Sequence, residues 1–437
     1  MNHIIPKLIM YGNMSEDSIL LRLGQICADC ESKTVDTDTL RVRLFGEVKR
    51  LLELGTSYGF DNNLWHNYLT FIMITQENPF TITCEKIGAG DGSVNNFAMN
   101  DFTVFYELFH YDFAPLEATL GTNVFDILTD YRAIVKPELM YNKNVSEKVR
   151  ALSLRLEAAE GPEGFFNEVC EFYRAYGVGM FGLNKAFRIE EKVTGGIEFL
   201  PINNMDTVTL DDLVGYESQK KRLIENTEAF VEGRGANNVL LYGDSGTGKS
   251  TSIKAIVNQF YDRGLRMIEI YKHQFKDLSA IIAAVKNRNY RFIIYMDDLS
   301  FEEFEIEYKF LKAVIEGGVE TKPANVLIYA TSNRRHIIKE TWSDRDDVVH
   351  DNGIHKSDTM EEKLSLVNRF GVTIYYGKPA PKEFYVIVGE LAKRAGIDMD
   401  EQALYLEANK WEMNHGGLSG RTATQFITYL KGKNNGN

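Results

Sequence analysis

The 437-residue chain is short of cysteine, proline and tryptophan, has no surplus of positive charge, and lacks any long apolar run. Four cysteines, Cys27, Cys30, Cys84 and Cys170, are too few and too scattered for a disulfide scaffold. Cys27-x-x-Cys30 is half of a zinc or redox pattern, with no second pair nearby to complete it, so these read as ordinary reduced thiols. Nine prolines and the absence of repeats exclude fibrous and low-complexity classes. The formal net charge is −13, made up of 17 Lys/Arg against 26 Asp/Glu in residues 1–190 and 32 against 36 in the rest. That balance disfavours nonspecific nucleic-acid binding, which draws on a basic face to displace phosphate counterions. The longest apolar stretches fall well short of the roughly 20 residues of a membrane span. The opening MNHIIPKLIMYG has neither a long apolar core nor a small-residue cleavage site, and a cytoplasmic protein without a membrane role is expected. What is present is ordinary for a globular protein: 44% hydrophobic and 12% aromatic residues. The length suggests two or three domains at about 100–200 residues each.

Along the chain the texture changes twice. Residues 1–187 alternate helical patterns with aromatic-rich stretches and form an N-terminal domain, mixed α/β or mostly helical, that carries no readable chemistry. In TLRVRLFGEVKRLLELG, Leu44, Val48, Leu51 and Leu52 share a helical face and Gly55 ends the helix; in SEKVRALSLRLEAAEG, Val149, Leu152, Leu156 and Ala159 do the same before Gly161. Residues 80–142 are rich in Phe and Tyr without a period, which reads as core. Residues 188–208, with Gly195-Gly196 and Pro201, read as a linker. From 209 to 378, short hydrophobic strands (238–242, 265–270, 291–296, 325–331, 372–376) alternate with helices, the pattern of a parallel sheet covered on both faces. Residues 379–432 hold three helical patterns, about 382–395, 400–412 and 419–431, and 433–437 are a tail.

Chemistry concentrates in the second half. Strand NVLLY runs into Gly243-Asp244-Ser245-Gly246-Thr247-Gly248-Lys249-Ser250, a complete GxxxxGK[ST] followed by Thr251 at a helix start. Glycines there let backbone N–H groups turn toward phosphate oxygens, the helix N-terminus adds a positive dipole end, Lys249 neutralises β/γ charge and Ser250 can ligate Mg²⁺. Such a loop calls for a carboxylate at the tip of a second strand. RFIIYMDD offers Asp297 for the metal and, one residue on, Asp298 to orient and deprotonate a water, or simply to cap a turn. Strand NVLIYATS ends at Asn333, able to hydrogen-bond that water or the γ-phosphate, though Asn at a strand end is also an ordinary turn former. Glu302, Glu303, Glu305 and Glu307, beyond the aspartates, read as solvated charge.

Together these blocks resemble an AAA+ ATPase from about 209 to 431: DDLVGYESQK, with Val214 and Gly215, resembles the segment lining the adenine pocket, GDSGTGKS the Walker A, IIYMDD the Walker B and ATSN the sensor 1 strand. ANNVLLYGDSGTGKS, YMDDLSFEEFEIEYKFLKAVIEGG and NVLIYATSNRRH resemble more closely the bacterial AAA+ family catalogued as domain of unknown function 815. The resemblance implies an α/β P-loop sandwich with a C-terminal helical lid, and ATP and Mg²⁺ as ligands. It further implies ATP hydrolysis, a homo-oligomeric ring, with a hexamer favoured, and an unknown protein client. It nominates Arg369 in LVNRFG as a finger reaching a neighbour's γ-phosphate, and Arg421 in GLSGRTATQF as a sensor 2 arginine; guanidinium suits both because it stays ionised. Two departures matter. Walker B ends in Asp-Asp rather than Asp-Glu, as in initiator and helicase-loader members, and YKHQFKDL lacks the usual aromatic-hydrophobic-Gly pore loop, Phe275 reading as buried. A nucleic-acid-directed loader, leaning on Arg334-Arg335-His336, Lys339 and Lys220-Lys221-Arg222, and a scaffold that binds ATP with little turnover are the alternatives. A switch GTPase would want Asn-Lys-x-Asp at a late strand tip, which the sequence lacks.

Overall fold

The computed structural model describes residues 1–133, 143–192, 195–203, 205–301, 307–316, 323–333 and 369–434. The chain divides into two compact units, Met1–Asn184 with Pro201–Asn204, and Lys185–Leu200 with Met205–Asn437.

Unit one is helical throughout its described residues: α1 (Ile19–Ser32), α2 (Thr37–Tyr58), α3 (Leu64–Thr75), α4 (Pro79–Ile87), α5 (Ser93–Phe109), α6 (Ala114–Leu120), α7 (Val124–Thr129), α8 (Lys143–Glu157), α9 (Gly161–Tyr176) and α10 (Gly179–Leu183). The mostly helical alternative therefore holds. The α2 helix starts where the Asp36 carboxylate accepts the Thr39 N–H at 2.9 Å. It does not stop at Gly55. The absent side chain there admits Leu64, whose Cδ1 would lie 2.8 Å from any Cβ, and the helix ends instead at Gly59, which takes the left-handed φ of 66°. Residues 80–133 lack a single period because they are divided among four helices of unequal length, α4 to α7. Most of their aromatics are core, as in the stacked Phe113 and Phe125 rings 3.6 Å apart, while Phe97 is exposed; Trp65 of α3 joins this core, its Nε1 donating to the Leu108 carbonyl.

Unit two is a seven-stranded sheet with helices and a helical appendage. Its strands are β1 (Ala186–Glu191), β2 (Ile197–Pro201), β3 (Val239–Gly243), β4 (Leu265–Glu269), β5 (Arg291–Met296), β6 (Val326–Ser332) and β7 (Val372–Tyr376), in the order β2-β1-β4-β5-β6-β3-β7. The pairs β1/β4, β4/β5, β5/β6, β6/β3 and β3/β7 are all parallel. Strands β5 and β6 are buried almost end to end, which is why they read as unbroken hydrophobic runs rather than alternating ones.

The stretch expected to be a linker, residues 188–208, is a correction. It holds most of β1 and all of β2, β1 pairing Ala186 with Met267 and Phe187 with Ile268. Ile189 is buried and its carbonyl accepts from Gln274 Nε2, so these residues extend the sheet edge. The Gly195-Gly196 pair marks the turn between two strands, a signal easily confused with a linker.

Helices α11 (Glu217–Val231), α12 (Lys249–Phe260), α13 (Leu278–Val285) and α14 (Glu307–Glu316) belong to the α/β part. The appendage comprises α15 (Pro381–Arg394), α16 (Glu401–Asn414) and α17 (Gly420–Asn434), packed on their own core of Phe384, Val388, Ala408, Ala423 and Phe426. Pro381 opens α15, and Glu383 reaches back to accept the Ala380 N–H at 2.8 Å. Phe275 is buried against Phe301, while Tyr271 stands exposed. Glu302, Glu303 and Glu305, and Arg334, Arg335, His336 and Lys339, lie outside the described residues.

Candidate functional site

The β3, β5 and β6 strands point their C-terminal ends at one place. Because β3 lies between β6 and β7 while the chain continues to β4 beyond β5, the crevice at its tip is a topological switch point of the sheet. A cleft of 720 Å³ opens there. Its wall brings together Ser245, Gly246, Thr247, Gly248, Lys249, Ser250 and Thr251 with Val214, Asp297, Asp298, Asn333 and Arg421. Those residues come from five sequence segments spread over more than 200 positions.

The loop after β3 is shaped by its neighbours. Gly248 has a φ of 92° and packs on the Asp212–Val214 segment so closely that a Cβ would sit 2.3 Å from Leu213 Cδ1. Lys249 is buried, its Nζ donating to the carbonyls of Gly243 (3.1 Å) and Asp244 (2.6 Å) and to Asn333 Oδ1 (3.0 Å). Burial pulls its ammonium below the ordinary lysine range, opposed by the charges of Asp244, Asp298 and Asp297. Gly243 and Asp244 stand behind the wall rather than on it. The Asp244 carboxylate accepts the Lys378 N–H at 2.9 Å, tying the loop to the segment that leads into α15. At the other end of the appendage, the Arg421 N–H donates to the Gly246 carbonyl at 3.1 Å, so α17 begins directly over the loop.

Opposite, Asp297 Oδ1 accepts from Ser250 Oγ (2.8 Å) and Thr331 Oγ1 (2.6 Å). Partial desolvation works to raise this carboxyl, but the hydrogen bonds from Thr331 and Ser250 outweigh it and hold Asp297 below the usual carboxylate range. Asp298 has a left-handed backbone, φ 51°, and its carboxylate accepts from Asn333 Nδ2 at 2.7 Å. Asn333 therefore bridges the loop lysine and the second aspartate through the two ends of one amide.

Two nominated residues fall elsewhere. Gly215 lines a neighbouring 620 Å³ cavity with Tyr375, Gly377 and Lys378, which shares Val214, Tyr216 and Ile387 with the first. Arg369 is not on the cleft wall. It precedes β7, whose first residue, Val372, pairs with the first residue of β3, so it lies at the opposite end of the strands from the loop. Sequence reasoning did not single out Thr331, Ile387, Leu391, Thr424 and Gln425 on the wall, whereas Leu213 falls within the DDLVGYESQK segment. Strand and helix periods point to Thr331, two before Asn333, and to Thr424 and Gln425, three and four after Arg421.

The donor set suits a nucleoside triphosphate with a divalent cation: a cradle too tight for side chains, a buried lysine, and a hydroxyl beside a carboxylate kept ionised. Among the described residues no group of three or more His, Cys, Asp or Glu is placed to hold a metal, so a cation here would share its coordination with phosphate oxygens. The described residues likewise contain no helix long and apolar enough to cross a membrane.

A family model described as "Protein of unknown function (DUF815)" matches residues 183–434, more than half of the chain. The chain belongs to this family. The DUF815 match takes in β1 and β2 as well as the cleft, which agrees with their place in the sheet. In this DUF815 chain the P-loop after β3 and the order β4-β5-β6-β3-β7, followed by three helices, make the AAA+ P-loop fold with its helical lid. No curated protein matches it. Among solved structures it is similar to a single-residue variant of Thermotoga maritima RuvB, at 17% identity and TM-score 0.36, covering 51% of this chain and 64% of that one. It is similar too to the Thermotoga maritima RuvB Holliday junction branch migration motor (18%, 0.35, 51% and 64%) and to a FIGL-1 AAA domain in complex with ADP (17%, 0.35, 56% and 75%). The chain thus spans under two thirds of the length of the RuvB chains. Strand order and family membership carry the fold, and these low similarities add nothing to it.

Proposed function

We propose that this DUF815 protein binds ATP with Mg²⁺ in the 720 Å³ cleft, hydrolyses it, and couples turnover between the protomers of a ring to the remodelling of a protein client. The observation that supports this best is the convergence of the P-loop, Asp297, Asp298, Asn333 and Arg421 on one cleft beneath the lid. In this reading the N–H groups of residues 245–250 and the α12 N-terminus cradle phosphate. Lys249 exchanges its carbonyl partners for phosphate oxygens, whose negative charge favours the ammonium against the burial that opposes it. Ser250 and Asp297 hold the cation, which when bound offsets charge on the β- and γ-oxygens. Asp298 accepts a proton from water, while Asn333 keeps its carboxylate aimed. Val214, Gly215 and the apolar Ile387 and Leu391 of the lid enclose the base, and Arg421 adds charge from the lid.

Arg369, at the far end of the strands, serves a neighbouring protomer's nucleotide, which makes the ring part of the chemistry. Lys249→Ala is expected to abolish binding of a fluorescent ATP analogue. Arg369→Ala is expected to bind nucleotide but not turn it over, and mixing it with Lys249→Ala is expected to restore ATPase activity, since each protomer supplies what its neighbour lacks. A mixture that stays inactive would remove the trans role. Steady-state turnover near zero in the wild type would favour the nucleotide-gated scaffold. Steeply salt-dependent DNA binding, which the −13 charge disfavours, would favour the loader.

A further inference from the structure

We propose that Thr331 is a positioning residue of the cleft, its hydroxyl fixing both aspartates of the β5 tip at once. The inference rests on the ATPase reading above and gives a role to a residue that the sequence motifs leave without one.

The β5/β6 ladder ends at the pair Met296 and Ala330. Beyond it the β5 backbone turns away, and Thr331 continues the pairing with its side chain. Thr331 is 2% exposed. Its O–H donates to Asp297 Oδ1 at 2.6 Å, and the same oxygen accepts the Asp298 N–H at 2.9 Å. Its carbonyl accepts the Leu299 N–H at 2.7 Å. Three consecutive residues are thus tied to one.

The tie has a job to do. Asp298 holds a φ of 51°, a conformation that strains a non-glycine residue and persists only where the surroundings impose it. The bond to its N–H, together with the Asn333 amide on its carboxylate, supplies that constraint. Thr331 and Asn333 are two apart on β6 and so share a face: one grips Asp297, the other Asp298. A hydroxyl is the chemistry the place requires. A carboxylate oxygen needs a donor and an N–H needs an acceptor, and valine of the same shape supplies neither, whereas serine supplies both.

The test compares Thr331→Val with Thr331→Ser in the full-length protein. Nucleotide affinity is measured with a fluorescent ATP analogue with and without Mg²⁺, alongside steady-state turnover and the Tm of the nucleotide-free protein. Thr331→Val is expected to keep Mg²⁺-free affinity within about twofold, lose most of the strengthening that Mg²⁺ confers, and turn over about 10–100-fold more slowly, as groups that orient metal ligands do. Thr331→Ser is expected to stay within about threefold of wild type in all three. If Thr331→Val does not fold, Thr331→Ala against Thr331→Ser makes the same comparison. Wild-type Mg²⁺ dependence and turnover in the hydroxyl-free variant, or equal damage in the serine variant, would overturn the role of Thr331 alone. A wild-type protein that binds no nucleotide would overturn the reading of the cleft and this role with it.

Discussion

The helical unit and the α/β unit both enclose carboxylates, and they hold them in different ways. In the helical unit Asp101 is fully buried and accepts the N–H groups of Ile9 and Tyr11, at 2.9 Å each, pinning the N-terminal segment to α5. Glu85 accepts the Val178 N–H and Glu117 the Phe125 N–H. These are acids spent on the chain's own backbone, positioned where a turn would otherwise leave a donor unpaired. In the α/β unit Asp297 and Asp298 face an open cleft, and the donors that hold them are chiefly side chains: the buried Thr331 fixes the pair, while the exposed bonds from Ser250 and Asn333 can give way to ligands or water. A buried acid is therefore no sign of chemistry. What separates the two sets is whether the partners are fixed amides or exchangeable side chains.

Substitution at Asp298 tests that distinction hardest. Asp298→Asn keeps an oxygen for the Asn333 amide but cannot take a proton, so turnover is expected to fall about 10²–10⁴-fold with nucleotide affinity and Tm nearly unchanged. Stopped ATPase activity with an intact thermal transition places Asp298 with exchangeable acids. A variant that unfolds instead would put it with Asp101.

Asp101→Ala is the converse experiment. It strands the N–H groups of Ile9 and Tyr11 in a core without an acceptor, at a cost of about 1–3 kcal/mol for each unpaired group. Thermal denaturation should show the helical unit weakened, while nucleotide affinity in the cleft stays within about twofold, because sites that share no partner behave additively. Loss of nucleotide binding in this variant would mean the two kinds of acid are not independent.

The same contrast explains what was legible in the sequence. The P-loop, the DD tip and Asn333 could be read because each is a motif at the end of a hydrophobic strand, and parallel sheets make such runs conspicuous. Thr331 was not singled out, since a threonine in a strand is ordinary on β-propensity alone and its partner lies 34 residues away; its place two residues before Asn333 is the one hint. Arg369 was nominated by its motif, but only the register of β7 on β3 reveals that it stands at the wrong end of the sheet for its own cleft. The β1 and β2 strands hid behind a Gly-Gly turn, and Gly55 read as a stop because nothing local shows that Leu64 needs the space. In the helical unit the acids gave no signal at all. Their backbone partners are set by the tertiary fold: Asp101 lies about 90 residues from the amides it accepts.

Acid titration sharpens the comparison with the smallest effect. His66 is largely buried in the helical unit, its Nε2 set 2.8 Å from the Phe109 carbonyl, and burial holds its pKa below the ordinary 6.5. Its unfolded state therefore binds protons that the folded state refuses, and stability falls as pH drops through 6.5 toward the folded value. Asp297 is also depressed, from 3.8, so its contribution is complete above that pH and is lost only as pH falls through the still lower folded value. Between pH 7 and 5 the helical unit is expected to lose a few degrees of Tm, followed by its near-ultraviolet tryptophan and tyrosine signals, while the ionisation of Asp297 and its bonds to Ser250 and Thr331 persist. His66→Gln, which keeps a donor for the Phe109 carbonyl and does not titrate, should flatten that dependence. A slope unchanged in this variant would assign it to other groups and leave the buried imidazole, like the buried acids of the same unit, a purely structural element.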